Sequence, residues 1–168
     1  AEGDLSVGGG MVNTGEVRLT NGDAPRTINV AGGMRNDGIV NLGGGTSGDR
    51  LAVDGGLSGN GEYVIGFSPS LGVSDQIVVT NGATTGTLTL RFSLAAGDAF
   101  DVLRNPLLIV DADDSFAAAN DYEVSWSGLP DPSESFVYSL GKQPTGDLVM
   151  IGQVNPGIGA LSGNVILT

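Results

Sequence analysis

The sequence predicts an all-β protein: a right-handed parallel β-helix closed at its C-terminal end by an antiparallel β cap. Three observations carry that prediction. The first is a repeat. Gly33-Met34-Arg35-Asn36-Asp37-Gly38-Ile39-Val40-Asn41-Leu42 has an earlier counterpart in Gly10-Met11-Val12-Asn13-Thr14-Gly15-Glu16-Val17-Arg18-Leu19 and later ones from Gly56 and Gly82. The leading glycines lie 23, 23 and 26 residues apart. The second is a set of apolar pairs, Leu5/Val7, Ile28/Val30, Leu51/Val53 and Ile77/Val79, which keeps the same 23, 23 and 26 spacing. Two independent features with one period mark a stacked array. The third is alternation. Short apolar-polar runs between glycine turns have the period of strands, not helices.

Residues 1–92 accordingly read as about four turns of a coil. In each turn a strand carries the inward pair, with Ser6, Asn29, Ala52 or Val78 facing out. A glycine corner follows, with Met11, Met34, Leu57 or Ala83 turned inward. The next strand points Val17/Leu19, Val40/Leu42, Tyr63/Ile65 or Leu88/Leu90 into the core. Neither a leucine-rich spacing nor a six-residue beat is present, so the repeat length selects the parallel β-helix. Side chains in equivalent slots then stack about 4.8 Å apart. Asn13 and Asn36 share such a slot, which suits an amide ladder or turn chemistry equally. The connectors at Thr20–Arg26 and Gly43–Asp49 are short and polar; Gly66–Asp75 reads as a longer loop.

From about Leu94 the beat breaks, and residues 93–152 read as a cap. Phe100–Leu103 and Leu107–Val110 look like strands on either side of Pro106. Tyr122–Trp126, Phe136–Leu140 and Asp147–Ile151 alternate again, with turn-rich connectors from Gly128 and Gly141 that suggest an antiparallel meander. The folding-cap candidates are Tyr122, Val124, Trp126, Phe136, Tyr138, Leu140, Leu148 and Met150. Trp126 and Tyr138 are expected in the core of the cap rather than on a sugar. Residues 153–168 read as a linker toward a further domain.

Composition narrows the function. A net charge of −12 leaves nothing to neutralise a row of phosphates or to hold an anionic membrane. With no His and no Cys, the usual general base, the thiol nucleophile and the histidine triads are all missing. Aromatics at 5% suit a narrow core of Val, Ile, Leu and Met. Asp49 and Asp75 occupy equivalent slots of adjacent turns, where turn capping competes with a carboxylate pair and is favoured. Asp111, Asp113 and Asp114 read as a solvated acidic loop in preference to a calcium site. Gly44–Leu51 approaches a calcium nonapeptide once, without its beat. No catalytic residue, cofactor or metal is expected.

Ser47-Gly48-Asp49-Arg50-Leu51-Ala52-Val53 running into Gly56–Gly61, and Ser74–Val79 running into Asn81–Gly86, resemble the C-terminal part of pertactin-like autotransporter passengers of Gram-negative bacteria. Phe100–Leu103, Leu108–Asp111 and the Phe116, Tyr122–Val124, Tyr138–Leu140 series resemble its terminal segment. The final strand departs from it: Leu148-Val149-Met150-Ile151 stands where the family commonly has aromatic residues. The resemblance implies a non-enzymatic β-helical stalk whose C-terminal segment, the autochaperone, promotes folding during export by type V secretion. It implies as partner an outer-membrane β-barrel downstream in the same parent chain, with a host-surface ligand for an adhesin or virulence factor. It also implies a cell-surface or extracellular location; a monomer is expected. The alternative is a fragment of a carbohydrate-active β-helix enzyme, a lyase or hydrolase with its site upstream.

Overall fold

Short alternating runs cut by glycine corners give three strands per turn, and the turns stack. The computed structural model describes residues 4–19, 24–43, 47–130 and 135–155. The expected linker beyond Asn155, parts of the polar connectors (20–23 and 44–46) and residues 131–134 lie outside the described residues. The first turn is β1 (Leu5–Val7), β2 (Met11–Asn13) and β3 (Glu16–Arg18). The second is β4 (Thr27–Ala31), β5 (Met34–Asn36) and β6 (Ile39–Asn41). The third is β7 (Arg50–Asp54), β8 (Leu57–Ser58) and β9 (Glu62–Ser68), followed by β10 (Val73–Ser74). Then come β11 (Gln76–Thr80), β12 (Thr85–Leu94), β13 (Leu107–Asp111), a 3-10 segment over Asp114–Ala119, and β14 (Asp121–Ser127). The described chain ends with β15 (Phe136–Lys142) and β16 (Leu148–Val154).

The protein is thus a parallel β-solenoid in which three turns carry strands on all three faces. One sheet runs β1-β4-β7-β11-β13-β16-β15, a second β14-β12-β9-β6-β3, and a third β2-β5-β8. Leu5 lies opposite Ile28, Ile28 opposite Leu51 and Leu51 opposite Ile77, so the apolar pairs stack in register. Across the core Val40 lies opposite Tyr63 and Tyr63 opposite Leu90. These columns are fully buried from the second turn on, whereas Leu5, Val7, Met11 and Val17 in the first turn are only half-buried.

The Asn slot is a true ladder. Asn13 Nδ2 donates to Asn36 Oδ1 at 2.8 Å, and Asn36 Nδ2 passes on to Glu62 O at 3.3 Å. Each amide oxygen also accepts from the glycine two residues on, Gly15 N at 3.1 Å and Gly38 N at 3.2 Å. The ladder and turn readings are therefore both realised. Gly61 makes room for it: a Cβ there would sit 2.3 Å from Asn36 Nδ2.

Four expectations need correction. First, the fourth turn holds one extra residue at its corner. Leu57 bridges Thr84, not Ala83, and Asn81 has a positive φ of 57° at the place where Gly32 and Gly55 have theirs in the turns before. Second, Gly66–Ser68 is not loop. β9 continues through it because Phe67 is fully buried, and β10 pairs back on Phe67 and Ser68. Third, Phe100–Leu103 forms no strand; it is an irregular segment held by Leu103 N donating to Gly152 O at 3.0 Å and by side-chain contacts with the core. Fourth, there is no three-stranded meander. β14 lies parallel on β12, from Thr85 opposite Asp121 to Arg91 opposite Ser127, and of the three expected strands just β15 and β16 pair antiparallel with each other. Parallel pairing therefore carries on past residue 92, since β13 also lies parallel on β11.

Candidate functional site

The feature most unlike a plain coil is its C-terminal end, where chain direction reverses. β16 lies antiparallel to β13, with Leu107 opposite Met150 and Val110 opposite Leu148, and a bulge shifts the register between them. β15 then pairs with β16 along its whole length, from Phe136 opposite Val154 to Lys142 opposite Leu148. Alternation on the two strands aims Tyr138, Leu148 and Met150 into the open end of the core, where all three are buried, with Phe136 and Leu140 half-buried beside them. Tyr122 is buried on β14 and Val124 is half-buried. Trp126 differs from its expectation. It continues the inward column above Leu90, yet it is 49% exposed, because β14 is the last strand of its sheet among the described residues.

An aromatic cluster fills the wide end of the core. The Phe67 ring lies 5.9 Å from Phe92, 6.1 Å from Phe100 and 5.8 Å from Tyr138, and Phe100 lies 5.7 Å from Tyr138. These are tilted or edge-to-face arrangements, each worth about 0.5–1.5 kcal/mol beyond burial. The Tyr138 hydroxyl reaches the irregular segment, donating to Asp101 O at 2.5 Å and accepting from Asp101 N at 2.9 Å. Burial pushes this phenol above its ordinary pKa. Gly152 lies under the ring, and a Cβ there would come within 2.6 Å of Tyr138 Cε1.

The β15–β16 turn clamps the other side. The Tyr122 hydroxyl donates to Gly146 O at 2.5 Å, and Asn120 Nδ2 donates to Thr145 O at 3.0 Å and Asp113 O at 3.1 Å. Asn120 Oδ1 accepts from Thr84 N at 2.9 Å, so this one buried amide ties the fourth turn, the acidic loop and the hairpin together. Asp147 Oδ1 accepts from Ala112 N at 2.9 Å. The chain's only lysine completes the clamp. Lys142 Nζ donates to Asn120 O at 2.9 Å and Tyr122 O at 3.2 Å, and stands 4.0 Å above the Tyr122 ring centroid. A cation over a ring adds about 0.5–2 kcal/mol, depending on how dry it is.

The carboxylates serve the backbone. Asp49 Oδ1 accepts from Arg26 N at 2.8 Å, one turn earlier. Asp75 Oδ1 accepts from Gly48 N and Asp49 N, both at 2.9 Å, and its Oδ2 accepts from Gly66 N at 2.6 Å. Both are buried turn caps, and burial raises the pKa of each. In the acidic loop Asp113 accepts from Ser115 N at 2.8 Å and Asn81 N at 2.6 Å, which lowers its pKa. Asp111, Asp113, Asp114 and Asp147 line one open groove, and among the described residues no group of three acidic side chains is placed to hold a metal ion. Asp98 takes the hydroxyls of Ser68 and Ser70, and the Ser68 bond chiefly holds its carboxyl below the usual range.

Of the eight candidates, the structure gathers Tyr138, Leu148 and Met150 with half-buried Phe136 and Leu140 over the core end. It places Tyr122 in the clamp, Val124 between, and Trp126 at the rim. Sequence reading missed Phe67, Phe92, Leu103, Asn120, Lys142 and Asp147. A single lysine in a chain of net charge −12 was the one visible pointer among these. No protein-family model matches the chain, and no curated protein matches it.

Proposed function

We propose that this chain is the β-helical stalk and C-terminal folding cap of an exported passenger of the pertactin-like autotransporter type, with a structural and not an enzymatic role. The observation that supports this reading most is the reversal of chain direction at the end of the coil. Its hairpin engages the last turn through β13, Tyr138 and the Lys142–Asn120–Tyr122 clamp. A parallel turn must close a loop of about 20 residues or more before stacking rewards it, which makes the first turn the slow one. An antiparallel hairpin closes locally. Once formed, β16 and the aromatic cluster offer β13, β12 and β9 a surface on which to assemble, and the earlier turns add in sequence.

On this reading the chain acts at the bacterial cell surface or beyond it, after passage through the periplasm and outer membrane. Its partner is a downstream outer-membrane β-barrel of the same parent chain. The outward loops of the coil are the place for a host-surface ligand, and the working unit is a monomer. The test is a comparison of refolding rates. Met150→Ala and Leu148→Ala in the cap should slow refolding with φ above about 0.5, while Val30→Ala and Ile28→Ala in the second turn should act mainly on unfolding. Equal φ values at both ends would reject a templating cap.

A further inference from the structure

A parallel coil repeats its cross-section, so its two ends can fit each other. At one end β1, β2 and β3 each close their sheets among the described residues, and Leu5, Val7, Met11 and Val17 are only half-buried. At the other end two of the three sheets reach a last rung, through β13 and β14. In-register columns join the ends, from Leu5 to Val110 on one face and from Val17 to Trp126 on the other. A second copy of the chain continuing that register would set its Leu5 on Val110 and its Val17 on Trp126. Its Ser6 would fall on Asp111, its Glu16 on Ser125 and its Arg18 on Ser127, so no like charges meet across these pairs. Unpaired strand edges invite such pairing, and a head-to-tail contact that does not close builds filaments.

The hairpin stands in that path. β16 pairs with β13 in the opposite direction, and Leu148 lies opposite Val110, in the slot that Leu5 of a second copy would take. Lys142 Nζ takes up the carbonyls of Asn120 and Tyr122 at the start of β14. The rest of the β14 edge stays unpaired among the described residues, with Trp126 half exposed. Blocking β13 is enough, because the strands of the first turn are joined by corners of three residues and two, and so seat together or not at all. We propose that the β15–β16 hairpin is an end stop: by holding β16 on β13 it keeps the first turn of a second copy off the last rung and the chain monomeric. A net charge of −12 slows the approach of two copies, but at about 0.15 M salt it is screened beyond about 8 Å, so the contact itself needs a steric block. This role is separate from templating the fold and holds whether or not the chain is exported.

The test uses the full chain carrying Leu148→Asp/Met150→Asp, which drives the hairpin off β13 by placing charge at two buried positions. Mass is followed by sedimentation at about 0.15 M salt over a wide range of concentration. The wild type should stay monomeric throughout. The variant should at least about double its mean mass as concentration rises, and acrylamide quenching of its single tryptophan should fall as Val17 of the next copy covers Trp126. Adding Val17→Asp to the variant should restore the monomer. If the first variant loses its far-ultraviolet strand signal, Gly152→Val replaces it: a Cβ there already comes within 2.6 Å of Tyr138 Cε1, so the larger side chain lifts the hairpin without charging the core. A folded variant that stays monomeric would overturn the proposal, and so would association that Val17→Asp leaves intact or a wild type that associates by itself. Loss of the fold in both hairpin variants would overturn it as well, since a stop must be separable from the coil it guards.

Discussion

Asp75 gives the sharpest quantitative expectation. Its carboxyl is completely buried at the corner that precedes β11, with Asp49 of the preceding turn as a neighbouring charge. Burial pushes its pKa up to about 8, the amide donations from Gly66, Asp49 and Gly48 pull the other way, and the Asp49 charge adds to the rise. In the unfolded chain the same group titrates near 3.8. Between those values the folded state holds a proton that the unfolded chain has released, so the contribution is full at acid pH and is lost as pH rises through about 8. At 1.36 kcal/mol per pH unit, raising the pH from about 5 to about 8 should cost up to about 4 kcal/mol. Urea unfolding at several pH values reads this directly. General charge repulsion at −12 slopes the same way, so the decisive comparison is with Asp75→Asn. That variant cannot titrate, and its amide turns a donor toward Gly66 N. It should lose about 1–3 kcal/mol near pH 5 yet show a clearly flatter pH profile. An Asp75→Asn profile parallel to the wild type would refute the assignment of the slope to this residue.

Two further outcomes follow from the packing. Asn36→Leu removes the partners of Asn13 Nδ2, Gly38 N and Glu62 O in a fully buried slot, and should cost about 2–4 kcal/mol by denaturant unfolding without a change in m-value. Gly152→Ala drives a methyl into Tyr138 and Leu103, and should destabilise by about 1–3 kcal/mol with a change in the near-ultraviolet tyrosine signal, while Gly141→Ala, with only Val149 Cγ2 at 4.0 Å, should be near neutral.

The coil itself was legible in the sequence because a parallel stack repeats its own environment. When one inward position recurs at a fixed spacing, as Ile28, Leu51 and Ile77 do, identical demands fall on identical slots, and local alternation already states which side faces in. The Asn13–Asn36 ladder was readable for the same reason, and so was the capping role of Asp49 and Asp75. The C-terminal end repeats nothing. Whether an alternating segment pairs parallel or antiparallel depends on the path of the connector that brings it to its neighbour, which alternation does not state. β14 lies parallel on β12 as a further rung, whereas β16 lies antiparallel on β13, although Tyr122–Trp126 and Leu148–Ile151 alternate alike. Phe67 shows the same limit: its glycine-, serine- and proline-rich neighbours read as loop, and only the Phe92, Phe100 and Tyr138 rings brought from elsewhere explain its burial. Trp126 shows the converse, an inward position left half open because no later rung stacks on β14 among the described residues. Periodic burial is a local property that each repeat carries in its own residues. The closure of an end is decided by contacts between segments far apart in the chain, and only the tertiary structure holds those.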